Sequence, residues 1–201
     1  NNLILLGWSP KNQDNEIIEL NNIISQFEIK SLSKSASIFS YKKLDFFNNY
    51  FLRLEPNIKT FEEYCKSNST LKEYLSLDKE KLFRVFDVYK KDISKYIEIV
   101  DISKIYFSND YSKNHDEKFQ DDFNHIFSEF LEVIININKW EYDIISLEIK
   151  EFIKKNNIKF PVLGKPIRYL LTNNYNGPSI TDIFMILGKT ESIERLKRYK
   201  I

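Results

Sequence analysis

The chain has 201 residues, of which 42 % are apolar, 15 % aromatic and 29 % charged, with a formal net charge of +1. These proportions exclude a disordered or fibrous protein, and the length suits one or two compact domains with a sizeable core. The single cysteine, Cys65, excludes an internal disulfide framework and fits a reducing compartment, and no apolar run approaches the roughly eighteen residues of a membrane span.

The first residue is Asn1, with no Met and no signal-peptide pattern, so the chain reads as a piece of a longer protein. Its charge is uneven. Residues 151–201 hold seven Lys and three Arg against Glu151, Asp182, Glu191 and Glu194, a local net of +6 that leaves −5 for the first 150 residues. A basic terminal block on a near-neutral chain suits phosphate, although a Lys-solvated helix face reads the same way.

Gly and Pro number only four and five, and helical spacing dominates. Asn2–Leu6 reads as the tail of a helix that ends at Gly7. Glu19–Phe27 predicts a short amphipathic helix. Ser40 is placed to cap a helix running to about Arg53, with Leu44, Phe47 and Phe51 on one face. Pro56 marks a boundary. Thr60-Phe61-Glu62-Glu63 has the form of a capping box. Asp78 is placed to cap the next helix, whose inward residues are Leu82, Val85, Phe86 and Tyr89, and short helical pieces continue to Phe107. The polar run Ser108–Asp116 is a second boundary. Two longer helices follow, at about Glu117–Ile137 and Glu141–Lys155. Their stripes of Phe119, Phe123, Phe127, Phe130 and Ile134, and of Ile144, Ile145, Ile149, Phe152 and Ile153, read as core and not as stacking platforms.

The last forty residues predict a helical pair. A helix is expected to open just after Gly164 and at Pro166, with Arg168 in its first turn. Gly177-Pro178 makes a turn, Ser179-x-x-Asp182 caps a second helix, and Gly188 stops it. The turn and Arg168 should therefore share one end of the pair. A helix start near Gly164 would offer free N–H groups and a positive dipole end to a phosphate or a base carbonyl. Arg168 would stack on or bond an unpaired base, and Gly177 lets the backbone approach it closely. An ordinary helical hairpin, with Arg168 extended to solvent, accounts for the same pattern.

Catalytic constellations are lacking. His115 and His125 are not paired with each other or with cysteine in zinc-ligand spacing, no glycine-rich phosphate loop is present, and Asp121-Asp122 and Glu62-Glu63 read as solvated faces. Leu32-Ser33-Lys34-Ser35 is similar to the end of the Lys-Met-Ser-Lys-Ser signature of class I synthetases, but Ser31 stands where the leading Lys would be.

Several segments together resemble the bacterial glutamyl-tRNA synthetase family. Asn2-Leu3-Ile4-Leu5-Leu6-Gly7-Trp8-Ser9 is similar to the Leu-Gly-Trp-Ser segment after the signature loop. Ser33–Phe39 and Lys42-Lys43-Leu44-Asp45-Phe46-Phe47-Asn48 resemble the Ser-Lys-Ser-Pro-Ala and Lys-Leu-x-Trp-(Leu/Met)-Asn stretches. Ile102–Phe107 is similar to an Ala-Arg-Tyr-Phe-Phe segment. Pro166-Ile167-Arg168, Gly177-Pro178 and Leu187-Gly188-Lys189 resemble the C-terminal anticodon-binding motifs, and all of these fall in the family's order.

The resemblance implies a mainly all-α chain in three parts: residues 1–55 end an α/β stem-contact domain, and 56–115 and 116–201 form two helical anticodon-binding domains with the anticodon loop entering between them. It implies that Lys43 and Phe46 (in place of the family's Trp), with Asn48 and Arg53, face tRNA. Lys90, Lys91 and Asp92 would lie at the third anticodon base, with Asp92 where the family often has a basic or amide residue. Arg168, Gly177, Pro178 and Ile180 would hold the first anticodon bases. Asn173 replaces a common Gly.

The parent implied is a cytoplasmic, monomeric glutamate-tRNA ligase acting on tRNA-Glu, with tRNA-Gln as an alternative. Its ATP and Mg2+ site lies outside this chain, which itself would hold no catalytic residue, cofactor or metal. The competing reading is a helical protein-interaction module with no nucleic-acid role.

Overall fold

The structure is a computed structural model that describes residues 1–10, 16–54, 57–108 and 119–199. Among the described residues there are eleven α-helices, one 3-10 turn at Ile29–Ser31 and no strand. The mainly all-α reading holds. Within residues 1–54 the described elements are short helices joined by extended chain. The expected boundaries at 55/56 and 115/116, and most of the polar run 108–116 including His115, lie outside the described residues.

The helices are α1 Ile4–Gly7, α2 Leu20–Gln26, α3 Tyr41–Leu52, α4 Asn57–Ser67, α5 Ser69–Leu77, α6 Lys79–Tyr89, α7 Glu98–Phe107, α8 Asp121–Asn136, α9 Tyr142–Lys155, α10 Phe160–Thr172 and α11 Ile180–Lys197. They group into two compact units that interleave along the chain. One comprises residues 1–64 and 90–98, the other 65–89 and 99–201. The division expected from the sequence is sequential instead.

The first unit has a small core. Trp8, Ile18 and Ile23 are buried together, with Ile4 and Leu5 packed on them. The Asn1 side chain clasps residue 18 from both sides, accepting from Ile18 N at 2.7 Å and donating to Ile18 O at 3.1 Å. The Ser40 hydroxyl accepts from Lys43 N and caps α3 as expected. Phe47 on α3 is buried, whereas Phe51 is exposed and Leu44 half-buried, so the expected apolar face is only partly covered. Phe61 on α4 is buried and its ring meets Tyr96 at 5.5 Å.

Thr60 does not cap a helix. It lies inside α4, which already begins at Asn57. Asn57-Ile58-Lys59 contains no helix breaker, and Phe61 and Cys65, four apart and both fully buried, extend one apolar face across the supposed box.

The second unit carries the main core, built from α6 to α11. Asn68 caps α5 by accepting from Leu71 N, and Asp78 caps α6 by accepting from Lys81 N at 2.8 Å. Of the expected stripes, Phe123, Phe127, Phe130 and Ile134 of α8 and Ile145, Ile149 and Phe152 of α9 are buried, whereas Ile144 and Ile153 are half-buried and Phe119, also half-buried, precedes α8. Arg195 on α11 is 2 % exposed. It donates to Leu171 O of α10 at 2.6 Å and to Ile105 O of α7 at 3.0 Å, and pairs with Glu191, so one cation ties three helices together. Trp140 donates its indole N–H to Phe184 O and its ring packs edge-on against the Phe184 ring.

Gly188 interrupts α11 as expected: at φ 75° and ψ 171° its backbone is not helical. The chain then resumes helical geometry to Lys197, a continuation the sequence reading did not foresee. The break places Lys189, whose ammonium donates to Ile137 O, the C-cap residue of α8, at 2.7 Å. A cation on those terminal carbonyls satisfies an acceptor and opposes the negative end of the helix dipole.

Candidate nucleic-acid interface

The turn that joins α10 to α11 is braced by several hydrogen bonds. Its base is set by Asn173, the C-cap of α10, in the left-handed conformation at φ 49° and ψ 24°. Asn is the side chain that adopts this region most readily after Gly, which explains how it stands where a Gly is common. The Asn174 carboxamide oxygen accepts from Asn176 N at 2.9 Å, which folds the chain locally. Gly177 follows at φ 141°, a backbone that L side chains rarely adopt. Ser179 then caps α11: its hydroxyl accepts from Asp182 N and donates to the Asp182 carboxylate at 2.6 Å.

Arg168 reaches across this turn. Its Nε donates to Pro178 O at 2.9 Å and its Nη1 donates to Tyr175 O at 3.0 Å. The rings of Tyr169 and Tyr175 stack at 4.7 Å, and the Thr172 hydroxyl donates to Arg168 O at 2.8 Å. Arg168 is half-buried. Burial lowers its pKa from the ordinary guanidinium value, and neighbouring Tyr89 raises it in part. A Cβ on Gly177 would stand 3.8 Å from both Arg168 Cδ and the Tyr89 hydroxyl, so the turn lies over these two side chains.

The expectation that Arg168 and the Gly-Pro turn share one end of the pair is met, but by a different route. α10 starts at Phe160, with Pro161 in its first turn, and Gly164 and Pro166 lie inside the helix. Arg168 therefore sits toward the C-terminal end of α10, not in its first turn. The proline that starts this helix is Pro161, because the first turn has no use for its missing N–H. Pro166, which costs one internal hydrogen bond, is buried in the packed face. The free N–H groups expected near Gly164 do not exist there.

Of the four residues expected at the first anticodon bases, Arg168, Gly177 and Pro178 come together in the turn. Gly177 is exposed and Pro178 buried. Ile180 is 1 % exposed and its side chain belongs to the core. What this turn presents outward is exposed backbone and amide groups at Asn173, Asn174, Asn176 and Gly177. Such an edge can hydrogen-bond an unpaired base without rearranging.

The remaining expected residues lie in or beside the first unit. Lys43, half-buried, pairs with Glu16 at 2.8 Å. Phe46 is 53 % exposed, its ring edge-on to Phe47 at 5.5 Å. Asn48 is half-buried and lines a cavity of about 280 Å³ with Phe51, Ser94, Lys95 and Tyr96. Arg53 donates to the Asn49 side chain and to Lys91 O at 3.0 Å. Lys90 is half-buried, and Lys91 and Asp92 are exposed on the turn after α6.

Sequence reasoning missed three side chains that shape these sites. Tyr175 and Tyr89 frame the Arg168 turn, and Asn49 braces the Lys91 turn. Asn49 lies four residues before Arg53, a spacing that puts both on one helical face and was the available signal. No local pattern marks Tyr175.

Residues 54–200 match the family described as anticodon binding domain. The glutamate-tRNA ligase of Staphylococcus saprophyticus is 30 % identical over 210 residues, which take in 99 % of this chain and 42 % of that protein. Glutamate-tRNA ligase 2 of Wolbachia pipientis is 31 % identical over 201 residues, covering 98 % of this chain and 43 % of that protein. A crystal structure of glutamate-tRNA synthetase from Elizabethkingia anophelis shares the fold with a TM-score of 0.75 at 22 % identity, covering 97 % of this chain and 38 % of that one. The chain thus spans about two fifths of the length of the curated relatives it matches.

Proposed function

The chain belongs to the anticodon binding domain family, and on that premise we propose that it is the tRNA-binding portion of a glutamate-tRNA ligase. The parent enzyme joins glutamate to tRNA with ATP and Mg2+ at a site outside this chain. This portion holds tRNA-Glu, or tRNA-Gln, by its anticodon and so positions the acceptor end. We place it in the cytoplasm, as its resemblance to a translation enzyme implies. Among the described residues, no helix is long and apolar enough to cross a membrane.

The observation that carries this reading is the braced turn of Arg168, Tyr175, Gly177 and Pro178. Anticodon bases are read when unpaired and splayed, by stacking and by hydrogen bonds to their edges. A turn already locked by its own arginine loses little conformational freedom when a base docks on it. Lys43, Phe46, Asn48 and Arg53 serve the stem side: the exposed Phe46 ring packs against the sugars of the stem, and the cations engage phosphates. Lys90, Lys91 and Asp92 lie at the third base.

A gel shift of the chain with tRNA-Glu transcript at moderate salt tests the reading. A retarded complex that weakens steeply as salt rises is expected. A chain that is normally helical yet shifts no tRNA would favour a protein-interaction module.

A further inference from the structure

Tyr89 ends α6 and Tyr106 lies in the last turn of α7. Their hydroxyls bond each other at 2.8 Å and their rings meet edge-on at 6.2 Å. Tyr106 is 1 % exposed and belongs to the core, whereas Tyr89 is half-buried and packs against that core. A phenol buried as deeply as Tyr106 is held by its packing, so its hydroxyl is a fixed point that orients the hydroxyl of Tyr89.

The oriented hydroxyl lies under Gly177. A Cβ on Gly177 would stand 3.8 Å from the Tyr89 hydroxyl and 3.8 Å from Arg168 Cδ, so phenol and arginine stem meet beneath one residue. Arg168 grips the backbone to either side of it, at Tyr175 O and Pro178 O. Gly177 has no side chain with which to hold itself, and glycine has the most backbone freedom to lose. Its φ of 141° is therefore kept by its surroundings, with the arginine fork at the flanks and Tyr89 below.

We infer that Tyr89 is a positioning residue for tRNA binding, holding the Gly177 turn in the shape it presents, with Tyr106 as its anchor in α7. The inference rests on the tRNA-binding reading above and adds α6 and α7 to the elements that shape the turn. Neither tyrosine has to touch the nucleic acid, because both act through the backbone at Gly177. A turn free to sample other shapes docks its ligand at a cost in entropy that a fixed turn avoids.

The test is fluorescence-anisotropy binding of the wild-type chain, Tyr89→Phe, Tyr106→Phe and the double variant. Each is titrated with a tRNA-Glu transcript and with that transcript changed at its first two anticodon bases. Every substitution keeps the ring and removes one oxygen. Each single variant takes a partner from the other hydroxyl, whereas the double variant removes the pair together and so separates loss of position from loss of stability. Tyr89→Phe and the double variant should bind the unchanged transcript about three- to tenfold more weakly and the changed one as before, so that preference for the anticodon falls. Tyr106→Phe should show part of that loss. An unchanged preference in Tyr89→Phe would overturn the inference. A wild-type preference in the double variant would overturn it too, since binding would then follow stability and not position. A wild-type chain that binds both transcripts equally would instead overturn the anticodon reading beneath the inference, and the inference with it.

Discussion

Arg168 commits two of its three guanidinium nitrogens to the chain itself. Its first role is to shape the turn, and any contact with a base is made by the remaining Nη2 or by the backbone it fixes. Arg168→Ala leaves two carbonyls without their donor and should lower stability by about 1–3 kcal/mol in chemical denaturation, with helical content retained. It should weaken tRNA binding about tenfold or more. Arg168→Lys keeps the charge but has no planar fork to span both carbonyls, and should recover little of either. A dissociation constant unchanged in Arg168→Ala would remove this residue from the site. Asn173 makes a second test at the same scale. At φ 49°, Asn173→Ala should lose about 1 kcal/mol in thermal unfolding, whereas Asn173→Gly should hold or gain slightly.

At the scale of elements, some helices were legible and others were not, for reasons that can be named. The stripes of α8 and α9 repeat every three to four residues with large side chains, and burial follows from that period. Ser179-x-x-Asp182 was legible because a cap needs only one hydroxyl three residues before a backbone N–H. α10 was misplaced by five or six residues because two prolines, Pro161 and Pro166, compete for the same signal and only packing decides between them. Thr60 failed for a similar reason: a capping box has meaning only if nothing helical precedes it. Asn49 was only partly legible: its spacing from Arg53 puts both on one helical face, but its two carbonyl partners lie more than forty residues away.

Two predictions belong to these elements. Gly188→Ala should destabilise by about 1–3 kcal/mol, because the break in α11 needs a backbone that alanine enters only under strain. Arg195→Met should cost about 1–3 kcal/mol in denaturant titration for each of the two carbonyls it strands, Leu171 O and Ile105 O, while Glu191 keeps its pair with Lys81 at 2.6 Å. A loss within a few tenths of a kcal/mol would mean that the three helices hold together without it.

At the scale of the whole molecule, a net charge of +1 hides a basic C-terminal quarter, and the proposed contacts combine cations with braced, exposed backbone. The colinear motifs made this assignment legible where charge alone favoured a Lys-solvated helix face over a phosphate-binding one. The measurement that tests the central claim most directly is anisotropy binding of the chain to a tRNA-Glu transcript and to the same transcript with its first two anticodon bases changed. The account predicts that the changed transcript binds at least about tenfold more weakly, as lost edge contacts at two bases require. Equal binding of the two transcripts would contradict it and leave a basic surface that holds tRNA without reading the anticodon.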